Sequence, residues 1–107
     1  MPPPTTGPML AAMREIIIDC AGVTSTEGFW QRYLDVAEPD GAALFGRNLD
    51  AFWDAIEHGG PGWPGEAVLV FRHSDQLAGL RTAGGGSLLD ALGRIADRAS
   101  RVSIRLL

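Results

Sequence analysis

Residues 44–58, with the sequence LFGRNLDAFWDAIEH, form the most informative segment of the chain. At about 3.6 residues per helical turn, its apolar side chains cluster on one face, which we expect to lie against a core: Leu49, Phe52 and Ile56. Its acidic side chains cluster on the opposite face: Asp50, Asp54 and Glu57. Trp53 falls at the border between the two faces. The spacing predicts an amphipathic helix from about residue 47 to about residue 57.

The acidic face of this helix is an unusual surface. Carboxylates four residues apart, such as Asp50 and Asp54, repel each other by about 0.2–0.5 kcal/mol on an exposed helix. Trp53 beside them is a large amphipathic ring of the kind that suits an interface. The pattern also allows a contact surface for another molecule, although by itself it favours a simpler interpretation. That interpretation is a solvated acidic face with a tryptophan at the edge of the core.

The negative charge of the chain is concentrated around this helix. The formal net charge is −4, and residues 35–57 alone carry −5, from six acidic side chains and one arginine. Such a region attracts a basic partner and speeds its encounter. Binding to nucleic acid needs a concentrated basic surface instead. We therefore expect a basic protein partner and no nucleic acid.

The segments on either side of the helix predict the fold class. Two apolar runs are typical of buried strands, Ile16–Ile18 and Ala67–Phe71, and we predict a third strand at Val102–Leu106. Thr24 with Glu27 forms a capping-box pattern before a first helix, and Ser87 with Asp90 predicts the start of a last one. A short helix is expected near residues 74–80. Since helices separate the strands, we predict an α/β fold with a three-stranded parallel sheet packed with three to four helices.

Length and composition restrict the class of protein. A chain of 107 residues allows one domain with a modest core. We expect residues 1–13, with three consecutive prolines and no basic residue, to be a flexible tail rather than a signal peptide, and residues 14–107 to be the domain. No run approaches the roughly 18 apolar residues that cross a bilayer, so we expect no membrane partner. The single Cys20 excludes an internal disulfide and suits a reducing, cytoplasmic location.

Other candidate chemistries have simpler interpretations. Asp50, Asp54 and His58 are spaced as possible metal ligands, but no further ligand motif accompanies them. Gly84–Gly86 lacks the spacing of a phosphate-binding loop, and the arginines of residues 94–105 are better explained as a solvated face than as an RNA site. No serine or cysteine stands in a recognisable nucleophile setting. We expect no enzyme activity, no metal and no cofactor.

The run from Phe45 to Asp54, FGRNLDAFWD, resembles the signature of the barstar family, small intracellular inhibitors of barnase-like ribonucleases. The order of predicted elements from Arg14 to Leu107 is similar as well. The resemblance implies a three-stranded parallel sheet with helices packed on it. It also implies that the second helix and the loop before it block the active site of a ribonuclease.

By position, the resemblance makes Asp54 the principal anion, which occupies the basic pocket that otherwise receives an RNA phosphate, and Asp50 its support. It places the other contacts around them: Leu44, Phe45, Gly46, Asn48, Leu49, Trp53 and Trp63. The chain departs from the family pattern at three positions, with Leu44 for an aromatic residue and Arg47 and Arg94 for acids. Because these changes remove negative charge, we expect a related or divergent nuclease or nuclease toxin as partner rather than a standard barnase.

A second function remains open at this point. The same fold is compatible with a non-inhibitory interaction module, in which the acidic helix recognises some other basic protein. In either case we expect the free protein to be a monomer.

Overall fold

The computed structural model describes residues 14–107, so the expected tail at residues 1–13 lies outside the described part. The sheet consists of β1 (Arg14–Asp19), β2 (Ala67–Arg72) and β3 (Ser103–Leu106). The helices are α1 (Thr26–Ala37), α2 (Leu49–His58) and α3 (Leu88–Arg98). Two 3-10 turns, Ala42–Leu44 and Ser74–Gly79, precede α2 and follow β2. Helix α2 begins two residues later than predicted, and the short helix predicted near residues 74–80 is the second 3-10 turn.

The three strands form one parallel sheet in the order β1-β2-β3. In its register, Ile17 of β1 pairs with Val70 of β2, which pairs with Arg105 of β3. Each connection between neighbouring strands contains at least one helix, as a parallel pair requires. The predicted α/β fold with a three-stranded parallel sheet is confirmed.

The core lies between one face of the sheet and the helices. Side chains alternate along β1, so that Ile16 and Ile18 are buried while Ile17 is 46 % exposed. Residues of β2 and of all three helices add to the buried layer, which contains a cluster of aromatic rings: Phe29, Trp30, Tyr33, Phe45, Phe52 and Phe71. This packed layer gives α2 a rigid support.

Side chains that cap the helices fix where each one begins. Ser25 Oγ accepts from the backbone N–H of Gly28 at 3.0 Å, so Ser25 caps α1, and the prediction that Thr24 would do so is wrong by one residue. Both residues have a suitable hydroxyl, but Ser25 is the one directly before the first helical residue, with the extended backbone that a capping residue has. Ser87 caps α3 through the N–H of Asp90 at 3.0 Å, as predicted.

Candidate protein-binding surface

The start of α2 is fixed by Asn48. Its Oδ1 accepts from the N–H of Ala51 at 2.7 Å, and its Nδ2 donates to the carbonyl of Gly46 at 3.2 Å. One side chain thus caps the helix and holds the preceding loop. Arg47, just before it, has a φ of 56°, which is uncommon for a residue with a Cβ. The loop therefore enters α2 in a defined conformation.

Helix α2 has the predicted two faces. Phe52 and Ile56 are fully buried beneath it, while Leu49, also predicted on the core face, is half-buried. Asp50 and Asp54 are exposed on the opposite side, and we call these two residues the acidic ridge. Within residues 14–107 neither of them lies in an ion pair. Trp53 is half-buried beside the ridge, at the border that the sequence predicts.

Asp54 lies against the loop that follows α2. Its backbone carbonyl accepts from the N–H of Gly60 at 3.3 Å. A Cβ built on Gly60 would overlap the Asp54 carboxylate oxygen and lie 3.0 Å from its Cγ. The absence of a side chain at Gly60 therefore allows the observed position of the Asp54 carboxylate. This role of Gly60 was not predicted from the sequence, because the contact depends on how the loop folds back.

The loop before α2 exposes one apolar side chain and buries the next. Leu44 is 77 % exposed, whereas Phe45 is only 6 % exposed. The Phe45 ring lies 5.7 Å from that of Trp30 and 5.8 Å from that of Tyr33, in the core. The Phe45 side chain therefore supports the loop from within. Of the residues that the resemblance implies as partner contacts, Phe45 is the buried one. Gly46 and Asn48 remain exposed beside it.

The loops on the two sides of α2 are joined to each other. The Asp40 N–H donates to the Trp63 carbonyl at 3.0 Å, and the Gly62 N–H donates to the Asp40 carbonyl at 2.7 Å. The buried Tyr33 hydroxyl donates to the Gly62 carbonyl, also at 2.7 Å. Gly62 has a φ of 98°, and a Cβ there would lie 2.6 Å from the Phe45 ring. These contacts hold both loops in one arrangement around the acidic ridge.

The carboxyl end of α2 is attached to the loop between α3 and β3. The Glu57 carboxylate accepts from both the hydroxyl and the backbone N–H of Ser100. These two hydrogen bonds hold the pKa of Glu57 below its usual range. The Arg101 guanidinium lies 4.5 Å above the Trp63 ring, which leaves the half-buried Trp63 with one covered face. Glu57 is thus engaged within the fold, unlike the acidic ridge.

Two grooves border the acidic ridge. One, of about 390 Å³, lies between α2 and α3 and is lined by seven residues: Leu49, Asp50, Trp53, Ala91, Arg94, Ile95 and Arg98. The other, of about 370 Å³, lies beside the start of α2, and its lining includes Arg47, Asp50 and Arg81. The sequence pointed to Arg94 as a departure from a family pattern and, with Arg98, as part of a solvated arginine face. The spacing of Arg94 and Arg98 by one helical turn was the available signal that both face α2.

Neither a metal centre nor a membrane-spanning helix is found in the part of the chain that the structure describes. Across residues 14–107, no group of three or more His, Cys, Asp or Glu side chains is placed to hold a metal ion. In the same range, no helix is both long enough and apolar enough to cross a bilayer. The chemistry available at α2 is that of exposed carboxylates beside an aromatic ring and arginines.

Fold and surface together define a small α/β protein whose second helix exposes an acidic ridge between two fixed loops. The chain matches the protein family described as Barstar (barnase inhibitor) over residues 13–107, and it belongs to this family. No curated protein matches the chain. The family is one of inhibitors rather than enzymes, and membership implies a function of the barnase-inhibitor type, with a ribonuclease as the kind of protein partner.

Proposed function

We propose that this protein is an inhibitor or immunity protein that binds a ribonuclease or nuclease toxin and blocks its active site with the acidic ridge of α2. The observation that carries the proposal is the exposure of Asp50 and Asp54, which form no ion pair within residues 14–107. A nuclease active site binds RNA phosphate with cationic side chains. A carboxylate can take the place of that phosphate through charge-assisted hydrogen bonds.

The support beneath the ridge favours tight binding. Phe52 and Ile56 are fully buried, and Asn48 caps the helix, so α2 is ordered before any partner arrives. A preorganised surface loses less conformational entropy on association than a flexible one. In this proposal Asp54 is the principal anion and Asp50 supports it.

The other proposed contacts surround the ridge on α2 and its two loops: Leu44, Gly46, Asn48, Leu49, Trp53 and Trp63. Phe45 contributes by holding the first loop against the core. Leu44 is well placed to fill an apolar depression on the partner, since it is 77 % exposed. The same proposal has residues 14–107 acting as the binding domain, as a monomer when free and in the cytoplasm.

The test is inhibition of a barnase-class ribonuclease by the wild-type chain and by Asp54→Ala. Truncating one member of a charge pair that is buried on binding costs about 2–5 kcal/mol, which corresponds to a loss of about 30-fold to several thousand-fold in affinity. Asp75→Ala is the matched control, because it removes the same charge from an exposed position in the 3-10 turn after β2. Both variants should fold, as judged by urea denaturation.

Three results would separate the alternatives. Stoichiometric inhibition that is lost in Asp54→Ala and kept in Asp75→Ala supports the proposal. Tight binding that leaves ribonuclease activity unchanged supports the non-inhibitory interaction module instead. Equal inhibition by wild type and Asp54→Ala would show that the acidic ridge is not the blocking element.

A further inference from the structure

The groove between α2 and α3 has an apolar floor and two rims of opposite charge. Its floor is formed by apolar side chains from both helices: Leu49, Trp53, Ala91 and Ile95. Asp50 of the acidic ridge lies on one rim, and Arg94 and Arg98 of α3 lie on the other. The groove therefore adjoins the ridge directly, and a partner that covers the ridge also reaches α3.

Among residues 14–107, Arg94 and Arg98 form no ion pair with a carboxylate. Both are exposed, and the one ion pair among residues 14–107 joins His73 to Asp19 at the end of the sheet. Arg94 and Arg98 are four residues apart, so their guanidinium groups lie on the same face of α3, where like charges repel. A carboxylate placed beside them would relieve this repulsion. Guanidinium groups bind carboxylates with two parallel hydrogen bonds.

We infer that this groove takes an aspartate or glutamate side chain of the partner nuclease, held by Arg94 and Arg98. The inference rests on the proposed function and names the chemistry of the partner beside the acidic ridge. An apolar side chain next to that carboxylate would cover Trp53 and Ile95 on the floor. A nucleic acid fits less well, because Asp50 on the facing rim and the charge of −5 over residues 35–57 oppose a polyanion.

The partner is therefore a nuclease with a basic active site and an acidic residue on its rim. The pattern provides specificity as well as affinity. A nuclease with a cationic side chain at the same position on its rim would meet Arg94, and this like-charge contact would weaken binding. The arginine rim thus selects against nucleases whose active site is basic throughout.

The experiment measures inhibition of barnase and of barnase variants that each carry one Lys→Glu or Arg→Glu substitution on the rim of the active site. The inhibitors are the wild-type chain, Arg94→Glu, Arg94→Gln and Arg98→Glu. Arg105→Glu is the control, because it makes the same change of charge at an exposed position of β3. Asp54→Ala is measured in parallel to test the proposed function separately.

On unmodified barnase, Arg94→Glu should inhibit about tenfold more tightly than Arg105→Glu, since a local repulsion is removed. At least one acidic rim variant should reverse this order, with the wild-type chain inhibiting it better than Arg94→Glu does. The inhibition by Arg94→Gln should be intermediate between that of the wild-type chain and that of Arg94→Glu on each nuclease. This reversal would show a direct charge pair between the groove and the nuclease.

Two results would overturn the inference. The proposed function is tested separately, by Asp54→Ala. The first is equal inhibition by Arg94→Glu, Arg98→Glu and Arg105→Glu against every barnase variant. The second is binding of a fluorescently labelled single-stranded RNA that Arg94→Glu loses and Arg105→Glu keeps, because the groove would then take a phosphate. If Asp54→Ala inhibits as well as the wild type, the proposed function is wrong, and the inference fails with it.

Discussion

Replacing Gly60 with alanine should move the Asp54 carboxylate without removing its charge. A Cβ at Gly60 would overlap an Asp54 carboxylate oxygen, so the Asp54 side chain must rotate away. Gly60 does not have a positive φ, and alanine therefore meets no backbone strain there. The substitution separates the position of the carboxylate from its presence, which Asp54→Ala cannot do.

The effect of Gly60→Ala on folding should be small. Forcing a side chain about 30° from its preferred rotamer costs about 0.5–1.5 kcal/mol. Replacing glycine by alanine at a compatible position stabilises by about 0.4–1 kcal/mol, because the unfolded chain loses conformational freedom. The two terms nearly offset each other. We expect the free energy of unfolding in urea to stay within about 1 kcal/mol of the wild-type value.

The effect on inhibition should be much larger. Hydrogen bonds to a charged group contribute about 1.5–3 kcal/mol each. Loss of one such bond weakens inhibition by about 10-fold to about 150-fold, which is less than the loss expected for Asp54→Ala. Titration of a barnase-class ribonuclease with the wild-type chain, Gly60→Ala and Asp54→Ala measures this order of inhibition. Gly86→Ala is the control, since a Cβ there has open space and Gly86 also lacks a positive φ.

One result would refute this reasoning. If Gly60→Ala inhibits as well as the wild type while Asp54→Ala is impaired, the carboxylate does not bind in the position that it has in the free protein. The contact with Gly60 would then have no bearing on recognition.

Three further predictions concern the scaffold. Tyr33→Phe should lower the free energy of unfolding in urea by about 1–3 kcal/mol, because the Gly62 carbonyl loses its buried donor. The hydrogen bonds from Ser100 lower the pKa of Glu57 in the folded state below its usual value of 4.5. They therefore stabilise the fold at pH values above 4.5, and this stabilisation is lost as the pH falls through the lowered pKa. In Glu57→Gln, the free energy of unfolding in urea should therefore change less as the pH is lowered. Burial raises the pKa of the Cys20 thiol to about 11, so iodoacetamide should modify it near neutral pH only after unfolding.

Much of the fold follows from local sequence pattern. The strands carry apolar residues because alternate side chains of a covered sheet face lie in the core, as Ile16 and Ile18 of β1 do. The faces of α2 follow from helical periodicity, which put Phe52 and Ile56 inside and Asp50 and Asp54 outside. Local pattern failed at the start of α1, where two adjacent residues offer a hydroxyl and the cap is Ser25, the residue directly before the helix.

Contacts between distant segments could not be predicted in this way. Periodicity cannot show that the Tyr33 hydroxyl reaches the Gly62 carbonyl, 29 positions away, or that Glu57 binds Ser100. The buried position of Phe45 could not be predicted from local pattern either. Its neighbours in sequence are exposed, but a pocket between Trp30 and Tyr33 takes the ring into the core. These contacts decide which residues of the site are surface and which are support.

Tertiary structure also changes what the acidic composition means. Residues 35–57 contain six acids, but Glu57 accepts hydrogen bonds from Ser100, and Asp35 accepts one from the amide of Gln31 at 2.8 Å. The carboxylates left exposed on α2 without an ion pair, among the described residues, are Asp50 and Asp54. Arginines line both of the grooves that Asp50 borders. Because attraction and repulsion both fall off with distance, such a surface discriminates between partners by the arrangement of their charges rather than by their net charge.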